Sequence, residues 1–102
     1  NVKINAEIIA SKGGVEIKNL DNFPWRNVSV WIDTGNTDNR YIHEIDYLFR
    51  DERIIPFSEF KHFLHDSSIY DPSDKKIRSI YIFCDIGEEE GYFCKDFGED
   101  GE

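Results

Sequence analysis

The chain has 102 residues, of which 39% are hydrophobic and 15% aromatic, a composition that excludes a disordered chain and suits one folded core. Its net charge is −9, and residues 85–102 hold eight acidic residues against only Lys95, so no cluster of basic residues is available for nucleic acid. No apolar run approaches the length of a membrane span, and the lack of methionine, even at position 1, predicts a start inside a longer precursor.

Three segments in the first third of the chain alternate apolar and polar residues with period two, as strands with one buried face do. The alternating apolar residues are Val2, Ile4, Ala6 and Ile8, then Val15 and Ile17, then Val28, Val30 and Ile32. Glycine, proline, aspartate and asparagine are concentrated between these segments, as in turns. Strands that start about every 13 residues favour a β-sandwich over a parallel α/β fold.

The rest of the chain predicts further strands and one short helix. The predicted strands cover about residues 41–49, 54–57, 76–86 and 92–97. Between the second and third of these, residues 58–65 predict one or two helical turns capped by Ser58, with Phe60, Phe63 and Leu64 on one side. We therefore expect an all-β fold of about seven strands with a short helix near residues 58–65.

The domain is expected to end with its last strand. Residues 1–97 are predicted to form one β-sandwich domain, because the strand pattern continues to Phe97. Residues 98–102 have no apolar anchor, since all five are glycine or acidic, so they are predicted to form a flexible acidic tail.

Cys84 and Cys94 are the two cysteines of the chain. A hairpin loop over residues 87–91, centred on Glu89, would place them directly opposite each other on neighbouring strands. Opposed residues of an antiparallel pair lie about 4.5–5.5 Å apart, within disulfide range. The spacing predicts a Cys84–Cys94 disulfide and an oxidising compartment. The alternative is two reduced cysteines that act as small hydrophobic residues.

Metal and catalytic patterns are incomplete. His62 and His65 could share one face of the predicted helix, but a zinc site needs a third protein ligand, and only His43 remains among the histidines. Oxygen ligands of the kind that calcium prefers recur in one predicted loop, at Asp33, Asn36 and Asp38. A turn rich in Asp and Asn for backbone reasons is the favoured interpretation of that loop. No nucleophile elbow or phosphate loop is present, so no catalytic residue, metal or cofactor is predicted.

The two tryptophans are expected to differ in role. Trp25 follows Pro24 in a turn and is predicted to fold over one end of the core. Trp31 is out of phase with Val30 and its alternating neighbours, so it should face away from the core. An outward tryptophan is either covered by another segment, which we favour, or part of a binding patch with Tyr41.

Several short motifs together give a family resemblance over most of the chain. They are Val15-Glu16-Ile17-Lys18-Asn19-Leu20-Asp21, Trp25-Arg26-Asn27-Val28-Ser29-Val30, Tyr41, Ile54-Ile55-Pro56-Phe57-Ser58-Glu59-Phe60, and the strand from Ile77 to Cys84. The organisation resembles small immunoglobulin-like domains of bacterial envelope proteins and lipoproteins. The resemblance implies an immunoglobulin-like antiparallel β-sandwich, and it implies little about activity.

Three functions remain as hypotheses. The first is a non-enzymatic structural or protein-interaction module of a bacterial envelope or secreted protein, located outside the cytoplasm and working through a sheet face or edge. The second is an acidic accessory subunit that binds a basic partner. The third is a small enzyme, which would need a polar cleft that a sandwich of this length rarely holds. The expected partner is another protein, and binding to nucleic acid is not expected.

Overall fold

The fold is described from a computed structural model, which covers residues 2–65 and 67–98. This part of the chain contains nine strands and one 3-10 turn, Phe57–Glu59, which lies between β6 and β7. The strands are β1 (Val2–Lys3), β2 (Ala6–Ala10), β3 (Gly14–Asn19), β4 (Trp25–Asp33), β5 (Arg40–Leu48), β6 (Glu52–Pro56), β7 (Lys61–His62), β8 (Ser79–Ile86) and β9 (Glu89–Asp96). The predicted all-β class is confirmed, with nine strands where about seven were expected.

The strands form two sheets. Six strands make the larger sheet in the order β1-β9-β8-β4-β5-β7, and the smaller sheet has the order β2-β3-β6. Neighbouring strands run antiparallel, except that β1 and β9 run parallel. The chain crosses between the sheets at β1–β2, β3–β4, β5–β6 and β6–β7.

The core lies between the two sheets and follows the predicted alternation. In the central strands β3, β4 and β8, alternate residues point into the core, because successive side chains of a strand point to opposite faces. The buried residues of β3, β4 and β8 that form its centre are Val15, Ile17, Val28, Val30, Ile32, Ile80 and Ile82. Truncating any one of these isoleucines to alanine would cost about 2–5 kcal/mol, because such positions are close-packed.

A buried polar network holds the turn between β3 and β4. The Trp25 indole N–H donates to Asp21 Oδ2 at 3.2 Å, and the backbone N–H of Asn5 donates to the same oxygen at 3.1 Å. The backbone N–H of Asp21 donates to Asn19 Oδ1 at 2.7 Å, and Asn19 Nδ2 donates to Leu48 O at 3.0 Å. The Asn, acidic residue and Trp motif that carries the family resemblance is therefore structural, since it satisfies buried polar groups at one end of the core.

The first alternating segment is two strands. Val2–Lys3 pairs with β9 in the larger sheet, whereas Ala6–Ala10 pairs with β3 in the smaller one. The crossing lies at Asn5, whose side-chain amide donates to Asp21 Oδ1 at 2.9 Å. Alternation continues through the crossing because both segments turn their apolar side chains to the same core.

The short helix predicted near residues 58–65 is reduced to the 3-10 turn Phe57–Glu59, and the residues after it form β7. Phe60 and His62 are buried, and the residues on either side of His62 point outward, which is the alternation of an extended chain. The predicted helical face would have buried Phe63, but that ring is exposed.

Two further expectations concern the acidic tail after residue 97 and the absence of a membrane span. Residues 99–102 of the predicted acidic tail lie outside the described residues, so the domain limit at residue 97 stays a prediction. Across residues 2–65 and 67–98, no helix is long and apolar enough to cross a membrane.

Candidate functional site

The outer face of the six-stranded sheet carries a group of aromatic side chains that the core does not use. We call this group the aromatic patch; its members are Trp31, Phe63, Tyr81, Phe83 and Tyr92. Phe63 and Tyr92 are each 38% exposed, and the other three rings are half-buried. The patch spans the middle of the sheet, from β9 across β8 and β4 to the segment that follows β7.

Strand register explains why these rings meet. Trp31 on β4 lies opposite Tyr81 on β8, and Phe83 lies opposite Tyr92 on β9. On the other side, Trp31 lies opposite Ile42 on β5. Because all these positions have the parity opposite to that of the core residues, they share the outer face of the sheet.

Trp31 is only partly covered. Its ring lies 6.1 Å from that of Phe63, at an interplanar angle of 56°, and its indole N–H donates to Ser29 Oγ at 3.3 Å. The sequence favoured a segment that covers Trp31. In the structure this segment is the short stretch after β7, and it leaves part of Trp31 exposed to solvent. The alternative patch with Tyr41 is wrong, because Tyr41 is 5% exposed and faces the core, where it contacts Tyr70.

A cleft opens beside Trp31. The Tyr81 and Phe83 rings lie side by side and nearly parallel, with centroids 6.3 Å apart and an interplanar angle of 5°. With Trp31 they line a cavity of about 370 Å³. The polar residues that complete its lining are Asp33, Thr37 and Arg40. Clefts that are mainly aromatic with a few polar groups are the usual form of a ligand-binding site.

A second cleft of about 360 Å³ adjoins the first and shares Asp33 and Tyr81 with it. Here Asp33 on β4, Ser79 on β8 and Asp96 on β9 lie in one row across three neighbouring strands. Ser79 is buried and donates its hydroxyl hydrogen to Asp96 Oδ1 at 2.7 Å. Since strands lie about 4.8 Å apart, the two aspartates flank a gap about 9–10 Å wide between their Cα atoms.

Acidic groups surround the Tyr81 hydroxyl. Burial raises the pKa of this hydroxyl, and the neighbouring Cys94 thiol and the Asp33 and Asp96 carboxylates raise it further. Burial and the neighbouring Asp96 carboxylate likewise raise the pKa of the Cys94 thiol, which donates to Asp96 Oδ1 at 3.7 Å. The Tyr81 hydroxyl and the Cys94 thiol are therefore held in their neutral, protonated forms.

The predicted Cys84–Cys94 disulfide is wrong. Cys84 lies opposite Gly91, and Cys94 lies opposite Tyr81, so the two cysteines are out of register and on opposite faces of the sheet. Both are free thiols, with Cys84 in the core and Cys94 on the outer face. A Cβ at Gly91 would lie only 2.7 Å from Ile86 Cδ1, which leaves room for no side chain opposite Cys84.

The error came from the length of the hairpin loop. The strands pair as far as Ile86 and Glu89, so only Gly87 and Glu88 form the turn. Gly87 has φ +60°, the left-handed value that a two-residue turn of type II′ needs at its first position. A five-residue loop over 87–91 would pair Cys84 with Cys94. The two-residue turn shifts the register of β8 against β9, so each cysteine has a different partner.

The histidines are used in local structure. His62 lies on β7, where its Nδ1 accepts from the Leu64 backbone N–H at 3.1 Å and its Nε2 donates to the Asp38 carbonyl at 2.6 Å. Both ring nitrogens are thus engaged, although the His65 ring stacks 5.3 Å away. His43 donates from Nδ1 to Glu59 O at 3.1 Å. His62 and His65 therefore do not share the face of a helix, because His62 lies on a strand.

The Asp-rich loop between β4 and β5 is held by its own backbone. Asp33 Oδ1 accepts from the Gly35 N–H at 2.9 Å, and Asn36 Oδ1 accepts from the Asp38 N–H at 2.9 Å. These side chain to backbone bonds are those of Asx turns. Within residues 2–65 and 67–98, no group of three His, Cys, Asp or Glu residues is placed to hold a metal ion.

Another cavity lies away from the aromatic patch. It measures about 530 Å³, and its apolar lining includes Phe57, Tyr70 and Phe97. Tyr70 and Phe57 belong to the core cluster, and their rings pack edge to face with centroids 5.2 Å apart. This hollow is more open to solvent than the cleft beside Trp31, so the aromatic cleft is the better candidate site.

Comparisons with family models, with curated proteins and with solved structures found no match for this chain. The candidate site therefore stands on geometry alone. The sequence predicts the outward direction of Trp31, and Tyr81 and Phe83 alternate on β8 with the core residues Ile80 and Ile82. It gave no sign that Phe63 and Tyr92 would join them, because the first was assigned to a helix and the second to a hairpin of different register.

Proposed function

We propose that this chain is a non-enzymatic protein-interaction module that binds its partner through the outer face of the six-stranded sheet. The observation that carries the proposal is the aromatic patch, which remains accessible although the core on the other face of the same sheet is complete. Large aromatic side chains on an outer sheet face stabilise the isolated domain little, so their accumulation there needs another reason.

The composition of the face supports protein binding. Tryptophan and tyrosine are enriched at interfaces because they bury a large area, lose little conformational entropy and keep a polar atom for hydrogen bonding. Trp31 and Tyr81 lie at the centre of the patch, on the adjacent strands β4 and β8. A central pair of half-buried aromatic residues with polar residues around it is the usual anatomy of an interaction surface.

We also propose where the domain is located and in what kind of protein. The larger sheet holds β4, β8 and β9 as neighbours, and the smaller holds β2, β3 and β6, an order that supports the resemblance to immunoglobulin-like domains. That resemblance favours a bacterial envelope or secreted protein and a location outside the cytoplasm. The hairpin register gives this location no support, because the two cysteines do not face each other.

Site-specific photo-cross-linking tests the function. A benzophenone amino acid would replace Tyr81 within the patch or, as the matched control, Ile54, which is 66% exposed on the other sheet. In the producing cells, we expect a defined protein to be cross-linked from position 81 and not from position 54. The identified protein would then be purified, and its affinity for the domain should fall at least tenfold in Trp31→Asp. Equal cross-linking from both positions, or unchanged affinity in a folded Trp31→Asp variant, would overturn the proposal.

A further inference from the structure

We propose that the partner is a basic protein segment, one of whose lysine or arginine side chains enters the cleft over Tyr81, between the carboxylates of Asp33 and Asp96. The inference rests on the proposed interaction function and names the chemistry of the partner. It is carried by the geometry of the two adjoining clefts, which share Asp33 and Tyr81.

The aromatic walls suit a cation. The face of an aromatic ring carries negative charge, and a lysine or arginine within about 6 Å of the ring centroid is attracted to it. The same contact occurs three times among the described residues: Arg26 Cζ lies 5.0 Å from the Tyr47 ring centroid, Arg50 Cζ 5.6 Å from that of Phe49, and Lys95 Nζ 5.3 Å from that of Phe97. In the same part of the chain no cation lies over the Trp31 or Tyr81 ring, and these rings line a cavity of 370 Å³ that can admit one long side chain.

The two aspartates supply the charge complementarity. Asp33 and Asp96 occupy one row of the sheet on either side of the small Ser79, next to the row that holds Tyr81. Each uses Oδ1 for a bond within the domain, Asp33 from the Gly35 N–H and Asp96 from the Ser79 hydroxyl. A cation above Ser79 would therefore meet carboxylate oxygens from both sides.

Two arginines, Arg40 and Arg78, line the same clefts, and Arg40 lies opposite Asp33 on β5. In the described part of the chain, the ion pairs are His43–Glu59 and Lys75–Asp74, so neither Arg40 nor Arg78 is paired with Asp33 or Asp96. The charged groups that act most strongly on the Tyr81 hydroxyl are acidic and raise its pKa. The net charge of −9 for the whole chain adds long-range attraction for a basic partner.

A peptide titration followed by NMR tests this inference. The probes are blocked pentapeptides of alternating arginine and glycine, the lysine counterpart, and a citrulline counterpart that keeps the shape of arginine without its charge. We expect the arginine and lysine peptides to shift the Trp31 indole signal and the amides of Tyr81 and Phe83. The citrulline peptide should bind at least tenfold more weakly, and added salt should weaken the charged peptides.

Matched variants locate the site. The double variant Asp33→Asn with Asp96→Asn keeps the Oδ1 acceptors and should weaken the arginine peptide about tenfold. The control, Glu7→Gln with Glu52→Gln, removes the same charge from exposed positions on the smaller sheet and should change affinity less than twofold. Equal binding of the citrulline peptide, or equal weakening in the control variant, would refute the inference.

The outcome separates this inference from the function on which it rests. If the arginine and lysine peptides fail to bind while cross-linking from Tyr81 still yields a partner, the face is an interaction surface for a partner of another chemistry, and only the inference falls. If position 81 yields no partner, both proposals fail. Two further variants test whether the peptide needs the aromatic ring of Tyr81 or only its apolar surface: Tyr81→Phe should retain peptide binding, and Tyr81→Leu should lose it.

Discussion

Replacing Asp21 by alanine should destabilise the domain by about 3 kcal/mol. Its carboxylate accepts from the Trp25 indole N–H and from two N–H groups of Asn5. Trp25 is fully buried, so its orphaned N–H would cost about 1–3 kcal/mol. Asn5 is exposed, so its donors can turn to water and their loss should cost about 0.5–1 kcal/mol each.

Urea denaturation at pH 7, followed by tryptophan fluorescence, measures this change in the free energy of unfolding. Asp46→Ala is the matched control, because Asp46 is an exposed carboxylate on β5, and it should change stability by less than about 0.5 kcal/mol. A double-mutant cycle with Trp25→Phe should give a coupling of about 1 kcal/mol, since phenylalanine lacks the donor. A cost below about 1 kcal/mol for Asp21→Ala, or a coupling near zero, would refute this account of the network.

Three further outcomes are expected. Burial raises the pKa of Cys84 to about 11 and that of Tyr70 to about 12, so their contribution to stability should be fully present below pH 9 and fall between pH 9 and 12, by up to about 3 kcal/mol per group. Tyr70→Phe should flatten the fall in the free energy of unfolding above pH 10, and an unchanged pH curve would refute this reasoning. A thiol reagent should label Cys94 in the folded protein, whereas the buried Cys84 should be labelled only after unfolding. If neither cysteine is labelled after unfolding under non-reducing conditions, the two form a disulfide. Phe97→Ala should cost about 2 kcal/mol, because the half-buried ring packs on the core, while removal of residues 98–102 should leave the unfolding midpoint unchanged; equal losses in the two variants would show that the tail docks.

Alternation was the part of the fold that the sequence could predict, because it follows from strand geometry alone. Val28, Val30 and Ile32 face the core as expected, and Trp31 faces outward. The same periodicity could not show that the first segment is two strands, because the crossing at Asn5 keeps apolar residues directed to one core.

Register was harder, because it depends on turn geometry rather than on pattern. The sequence 87–91 has a glycine at each end, and either a five-residue loop or a two-residue turn fits it. The structure places the turn at Gly87 and Glu88, and that choice decides whether Cys94 meets Cys84 or Tyr81. The aromatic patch depends on the same register, so its full extent could not be read from the residues.

The parallel pairing of β1 with β9 gives the domain a mechanical property. Val2 and Lys3 lie beside Gly91 and Tyr92, and the Ile4 N–H donates to Tyr92 O at 3.0 Å. Because the two strands run in the same direction, tension between the start of β1 and the end of β9 would slide them past each other along their length. Such shear loads the pairing bonds together rather than one after another. When the domain is pulled at these two ends, it should therefore resist extension until the hydrogen bonds between β1 and β9 break in a single step.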